Sequence, residues 1–337
     1  MCKAERIWHV FDRHGRLSVI FDYPQSFPLE IERVIHVGED GYAGPSRNAI
    51  DNARGYRPGE LPQTAFHRLY AGRLDVSPAP ELSEKLRSKR PPLLGEAPVK
   101  GVPLKFAILA RQGEAYDTVA LLLGDLPEPL AEAKRGEWSN WALCDFPKEG
   151  GGTVKAGFRF KVIRLSEDGS DFLIYRTEIY PQEDFARPEE WCGRLLEACG
   201  PYLRRPSEQA VVFADSMDIE TFYEEWRDNA EWVARAAETI LKSVDWGLFI
   251  VKWHAPDYMQ HICWHMVDPA HPLHDPGMAD YGWDYFARFY GIADSLIGRI
   301  WELVGEDGVI AVVTDHGHVA NIFAPPLQKW LEEAGLL

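Results

Sequence analysis

The chain has 337 residues, 46% hydrophobic and 26% charged, the composition of an ordinary folded protein with enough length for one large α/β domain with an insertion, or for two folding units. Its 52 acidic side chains outnumber 36 basic ones, and a net charge of −16 excludes a generic nucleic-acid or anionic-membrane surface while leaving room for a phosphorylated substrate served by a metal ion. No run approaches the ~20 apolar residues of a membrane span, and five scattered cysteines without a C-x-x-C pair exclude a zinc ribbon and a disulfide scaffold.

Taken in order, residues 5–14 carry weak helical periodicity that Gly15 stops, and Leu17–Phe21 reads as a short buried strand. Pro24 and Pro28 turn the chain into an irregular loop. From about 38 to 102 the chain is rich in Gly, Pro, Arg and polar residues, and stretches such as 88–95 read as connectors. From about 104 to 180 short apolar runs recur at 104–109, 118–123, 157–165 and 172–177, separated by turns at 149–152 and 167–170. Alternation broken by such turns predicts antiparallel strands.

Residues 219–243 predict a helix, with Phe222, Trp226, Val233, Ala237 and Ile240 close to one face. The apolar run 248–251, a second helix over 285–304 and the run 309–313 follow. Strand, long helix, strand is the pattern of a parallel sheet. The expected fold is α/β: a mostly parallel sheet flanked by helices, with an inserted β-rich subdomain. Residues 1–102 form part of the core with irregular loops, 103–182 the insertion, and 183–337 the part of the core that carries the chemistry.

Seven of the eleven histidines lie between positions 254 and 318, among Asp257, Asp268, Asp275 and Asp315. Mixed imidazole and carboxylate donors suit zinc and its first-row neighbours. The run 248–251 leads into Asp257 and His261, whose i, i+4 spacing puts both side chains on one face of a helical turn, within reach of one ion. The run 309–313 leads into Asp315 and His316, at what would be the carboxyl end of a strand, where open parallel sheets bind ligands. Adjacent strand residues point to opposite faces, so both reach one ion only if the chain bends, and Gly317 fits that need. Alone, each pair is an ordinary cap or solvated helix face; jointly, after two strands of one expected sheet, they argue for a metal site. His254 and His265 read as supports or substrate contacts, and His271, His274 and His318 as surface or hydrogen-bonding residues. Trp253 and Trp264 read as core. The P-loop and G-x-S-x-G patterns are both absent.

These groups resemble the alkaline phosphatase superfamily, specifically its type I phosphodiesterase and nucleotide pyrophosphatase branch. Thr314-Asp315-His316-Gly317 is similar to the branch's T/S-D-H-G signature, and Asp257 with His261 to its D-x-x-x-H metal motif. The loop with Asp268 and His271, the helix ending near Trp301 and the stretch 321–337 are also similar, as are 7–11, 19–24 and 136–139.

The resemblance implies two divalent metal ions, zinc by donor set with manganese as the alternative. Asp257 and His261 would bind one and Asp315 and His316 the other. It implies hydrolysis of phosphodiester or pyrophosphate bonds in a small-molecule phosphate ester, through a Ser or Thr nucleophile. The branch places its first strand, an Asp ligand and that nucleophile ahead of the part matched by 7–24, and a further ligand His beyond residue 337. No substitute is found, so the catalytic residues are unknown. The expectation is an internal fragment, weak or inactive alone, with an incomplete sheet. Two alternatives stand beside it. One is a phosphomonoesterase, sulfatase or phosphoglycerate-mutase-like enzyme on the same scaffold; the other is a non-catalytic remnant that binds metal or a partner. Residues 1–10 lack an apolar leader and the cysteines suit a reducing compartment, so the expected location is cytoplasmic, unless a leader preceded residue 1.

Overall fold

Leu17–Phe21 is one of the two inner strands of a four-stranded sheet, and Val19, Ile20 and Phe21 are buried. It runs parallel to Val34–Val37 on one side and to Trp246–Val251 on the other, and Ala186–Arg187 adds an antiparallel edge. A continuous apolar run is what a strand covered on both faces requires. The computed structural model describes residues 4–23, 31–38, 49–126, 128–148, 150–204, 214–320 and 327–336. Pro24, Pro28, Glu149 and Asn321 lie outside the described residues. The chain divides into two compact units, Met1–Trp253 and His254–Leu337.

The first unit holds three further sheets. Five strands from Val76–Pro78 to Ala131–Lys134 pair antiparallel in chain order. Phe160–Leu165, Phe172–Arg176, Arg54–Arg57 and Ala71–Arg73 form a four-stranded sheet whose last pair is parallel. Ala142–Pro147, Thr153–Phe158 and Tyr180–Pro181 form a three-stranded one. Their inner faces share one core, in which the Phe106 ring packs 5.3 Å from Tyr56 and 5.4 Å from Phe160. The helix Ile219–Leu241 starts where the Asp218 carboxylate accepts the Thr221 N–H at 2.7 Å. It buries Phe222, Trp226, Val233, Ala237 and Ile240, and Trp226 meets Trp253 edge-on at 5.8 Å. Among the described residues no helix is long and apolar enough to cross a membrane.

The second unit is helical. Ala255–Val267 packs on Ala279–Val304 where Gly282 allows close approach: a β-carbon there would stand 2.7 Å from the Met266 β-carbon. Trp264 and Phe286 pack 5.9 Å apart across this contact. The loop between the helices is folded by Asp268, which accepts the Ala270 N–H at 2.9 Å and the Trp264 indole N–H at 2.8 Å.

Three expectations are corrected. The chain is α/β, but its sheets are mixed and mostly antiparallel rather than one mostly parallel sheet, because consecutive strands are joined by short turns that return the chain antiparallel. The stretch 88–95 is not all connector: Leu93–Glu96 is a strand paired on both sides. The run 309–313 forms no strand. A strand exists only against a neighbour, and within its unit no described backbone pairs with it, so Val309, Val312 and Val313 stand 92%, 71% and 84% exposed. The run 248–251 does form a strand, as part of Trp246–Val251, half-buried at the sheet edge.

Candidate metal centre

The helix Ala255–Val267 opens with a proline in its first turn, a position that needs no N–H donor and suits the fixed proline φ. Asp257 follows in that turn, and His261 sits one turn on, so the helical repeat alone brings the His261 Nε2 to 3.5 Å from the Asp257 Oδ1. The irregular segment 305–320 supplies the other imidazoles. His316 Nε2 lies 3.9 Å and His318 Nε2 3.8 Å from the same carboxylate oxygen. Ligand atoms of Asp257, His261 and His318 all fall within 4.8 Å of one another.

That oxygen is the most informative atom of the group. Asp257 Oδ1 is shielded from solvent and has no hydrogen-bond partner. A buried acceptor left unmet costs about 1–3 kcal/mol, more for a charged one. Three nitrogens surround it at distances too long for good hydrogen bonds and suited to a shared cation between them. The other oxygen, Oδ2, is met by His254 Nε2 at 3.3 Å, and the His254 ring stacks on Tyr258 at 4.6 Å, which sets the carboxylate's orientation. The donor set of one carboxylate and several imidazoles therefore fits a divalent first-row ion.

Tautomers favour the same reading. His316 Nδ1 lies 3.1 Å from the Gly317 carbonyl, an acceptor that requires a proton on Nδ1 and leaves Nε2 with its lone pair toward the carboxylates. Burial pushes the His318 imidazole below its ordinary range, helped by His261 and His316 and opposed by Asp257. A neutral ring is the ligating form. His261 and His318 meet edge-on at 4.7 Å, and Trp264 lies 5.9 Å from His318.

Of the four residues singled out in the sequence, Asp257, His261 and His316 come together. Asp315 is held less closely: its side chain is 82% exposed, with Oδ1 3.8 Å from His316 Nε2. The bend that brings Asp315 and His316 to one side falls at Asp315, and Gly317 does not use a left-handed backbone. His318, read from sequence as a surface or hydrogen-bonding histidine, lies in one close group with Asp257 and His261. The signal was present as His316-Gly317-His318: residues two apart on an extended segment share a face. His271 and His274 serve the interhelical loop, accepting the Leu273 N–H at 3.1 Å and meeting the His265 carbonyl at 3.0 Å.

A family model described as type I phosphodiesterase / nucleotide pyrophosphatase matches residues 154–337, which include every residue of this centre. No curated protein and no solved structure matches the chain.

Proposed function

The chain belongs to the type I phosphodiesterase / nucleotide pyrophosphatase family, and from that premise we propose that Asp257, His261 and His318 hold a divalent metal ion used to hydrolyse phosphodiester or pyrophosphate bonds. The family is one of hydrolases. The carrying observation is the sheltered Asp257 Oδ1, which has no hydrogen-bond donor and three imidazole nitrogens within 3.9 Å. We propose Asp315 and His316 as the start of a second metal position, completed by groups outside this set. Zinc suits the donors, and manganese is the alternative.

When bound, such an ion polarises a phosphoryl oxygen and lowers the pKa of the attacking group. The chain's own residues set up that chemistry. His254 holds one Asp257 oxygen so that the other faces the imidazoles. The Gly317 carbonyl keeps the proton of His316 on Nδ1. Trp264 packs beside His318, and Tyr258 stacks on His254. The substrate class is a small phosphate ester. No Ser or Thr is assigned as nucleophile.

The test strips metal from the chain, titrates zinc, and compares bis(p-nitrophenyl) phosphate with p-nitrophenyl phosphate. Zinc binding with weak turnover that prefers the diester, both lost in Asp257→Asn and His318→Ala, is the expected outcome. Binding without turnover of either ester assigns the chain to the non-catalytic metal-binding alternative. Preferred monoester turnover points to a phosphomonoesterase. Zinc binding unchanged in both variants removes the centre.

A further inference from the structure

Away from the metal centre, the first unit contains a cavity of about 560 Å³ between the strands Arg54–Arg57 and Ala71–Arg73, the segment 61–68 and the turn 96–100. That volume is within the ~300–1,000 Å³ of small-molecule sites. Its wall carries four guanidinium or ammonium groups, from Arg54, Arg68, Arg73 and Lys100, together with His67. Such a concentration of cations in a chain of net charge −16 calls for a physical account.

Pairing does not supply one. Both wall carboxylates are engaged by cations outside the wall: Asp51 by the buried Arg176, and Glu96 by Lys105 Nζ at 3.8 Å. Arg73 is engaged by Asp75, at 2.8 Å. Among the described residues no carboxylate lies within ion-pair distance of Arg54, Arg68 or Lys100. Arg54 is locked in place by a 2.8 Å hydrogen bond to the Ala71 carbonyl, which uses one of its five N–H donors. His67 Nδ1 lies 2.8 Å from Thr64 Oγ1, so its Nε2 is the ring nitrogen left for a ligand. Leu61, Pro62 and Val99 add an apolar wall.

We propose that this cavity binds a small organic molecule through a phosphate or diphosphate group. Three wall cations without carboxylate partners among the described residues offer a site to an anion, and the planar arginine fork matches phosphate oxygens two at a time. The apolar side has room for the organic part of such a ligand. The cavity is lined only by residues of Met1–Trp253 and uses none of the proposed metal ligands.

Calorimetric titration of the metal-stripped chain with methylenediphosphonate, in chelator and at low salt, tests the proposal. Saturable one-to-one binding is expected, competed by inorganic phosphate and far less by succinate. Arg68→Glu with Lys100→Glu weakens it by at least about tenfold, while Asp257→Ala leaves it unchanged. If that double variant does not fold, Arg68→Gln and Lys100→Gln are measured singly, and each is expected to weaken binding. Absence of saturable binding up to about 10 mM overturns the proposal, as does equal affinity in the cavity variants. Succinate bound as tightly as the diphosphonate overturns the assignment to phosphate.

Discussion

His318 Nε2 stands 3.8 Å from Asp257 Oδ1, and that oxygen is shut off from solvent without a hydrogen-bond donor. One residue comes from a helix and the other from a segment without regular structure, and the proposed metal ion would sit between them. Asp257→Ala and His318→Ala should each weaken zinc binding by more than about 100-fold, and His254→Ala, which touches the other oxygen, by about 10–100-fold. Competition against a chromogenic chelator measures all three. Equal loss in the His254 and His318 variants would contradict the roles assigned to them.

Metal removal gives a second readout that does not depend on turnover. An ion that binds only the folded chain stabilises it by about 2.7 kcal/mol at a hundred times its Kd. Zinc should therefore raise the unfolding temperature of the chain, chelator should reverse the rise, and Asp257→Ala should show neither effect. A chelator-insensitive melting temperature at saturating zinc would count against the centre.

Leu17–Phe21, Leu104–Leu109 and Thr118–Leu123 are legible in sequence because each is a short apolar run with turn residues or a change of pattern at its ends. Ile219–Leu241 is legible because its apolar face repeats at helical spacing. Asp257 and His261 are legible for the same reason, since one helical turn places them together. What the sequence hides is non-local. The run 157–165 is two strands, not one, because Arg159 interrupts it to meet Asp228 at 2.7 Å and lie over the Trp138 ring at 4.1 Å. The run 309–313 looks like a strand, but strand pairing depends on a neighbour that its own residues do not reveal. Arg54, Arg68 and Lys100 line one cavity from three separate segments, with no spacing to announce it.

Glu225 makes a pH prediction. It is fully buried, and burial pushes its carboxyl from the ordinary 4.5 up to about 7, against the hydrogen bond that Tyr175 donates to it at 2.8 Å. Between those two values the folded chain holds a proton that the unfolded chain has released, so stability falls as pH rises through the window. The loss amounts to roughly 2–4 kcal/mol on going from pH 4.5 to pH 8. Denaturant unfolding at several pH values should show this decline in the natural chain and a flatter profile in Glu225→Gln. A steeper decline in the variant would refute it.

Gly55 tests how closely the first unit is packed. A β-carbon at that position would meet the backbone oxygen of Ser216 and come within 2.5 Å of the Ser216 Cα. Ser216 cannot easily yield, because its hydroxyl donates to the Tyr70 carbonyl at 2.6 Å. Gly55→Ala should cost about 1–3 kcal/mol, the usual range for overpacking, and lower the melting temperature by about 2–4 °C per kcal/mol. An unchanged melting temperature would mean that this contact is absent in solution.

Arg176 links the stability of the first unit to the charge of its cavity. Its side chain is 1% exposed and donates to the Thr177 carbonyl at 2.8 Å, the Asn52 carbonyl at 3.0 Å and the Asp51 carboxylate. Arg176→Met leaves two carbonyls unmet and an unpaired carboxylate at the cavity wall, a change that should cost about 3–5 kcal/mol. The released charge of Asp51 then opposes an anionic ligand, so methylenediphosphonate binding should weaken along with stability. Adding Asp51→Asn to Arg176→Met removes that charge and should recover part of both losses, as coupled neighbours do in a double-mutant cycle. If stability recovers in the double variant and binding was never affected by either change, Asp51 plays no part in the cavity's electrostatics.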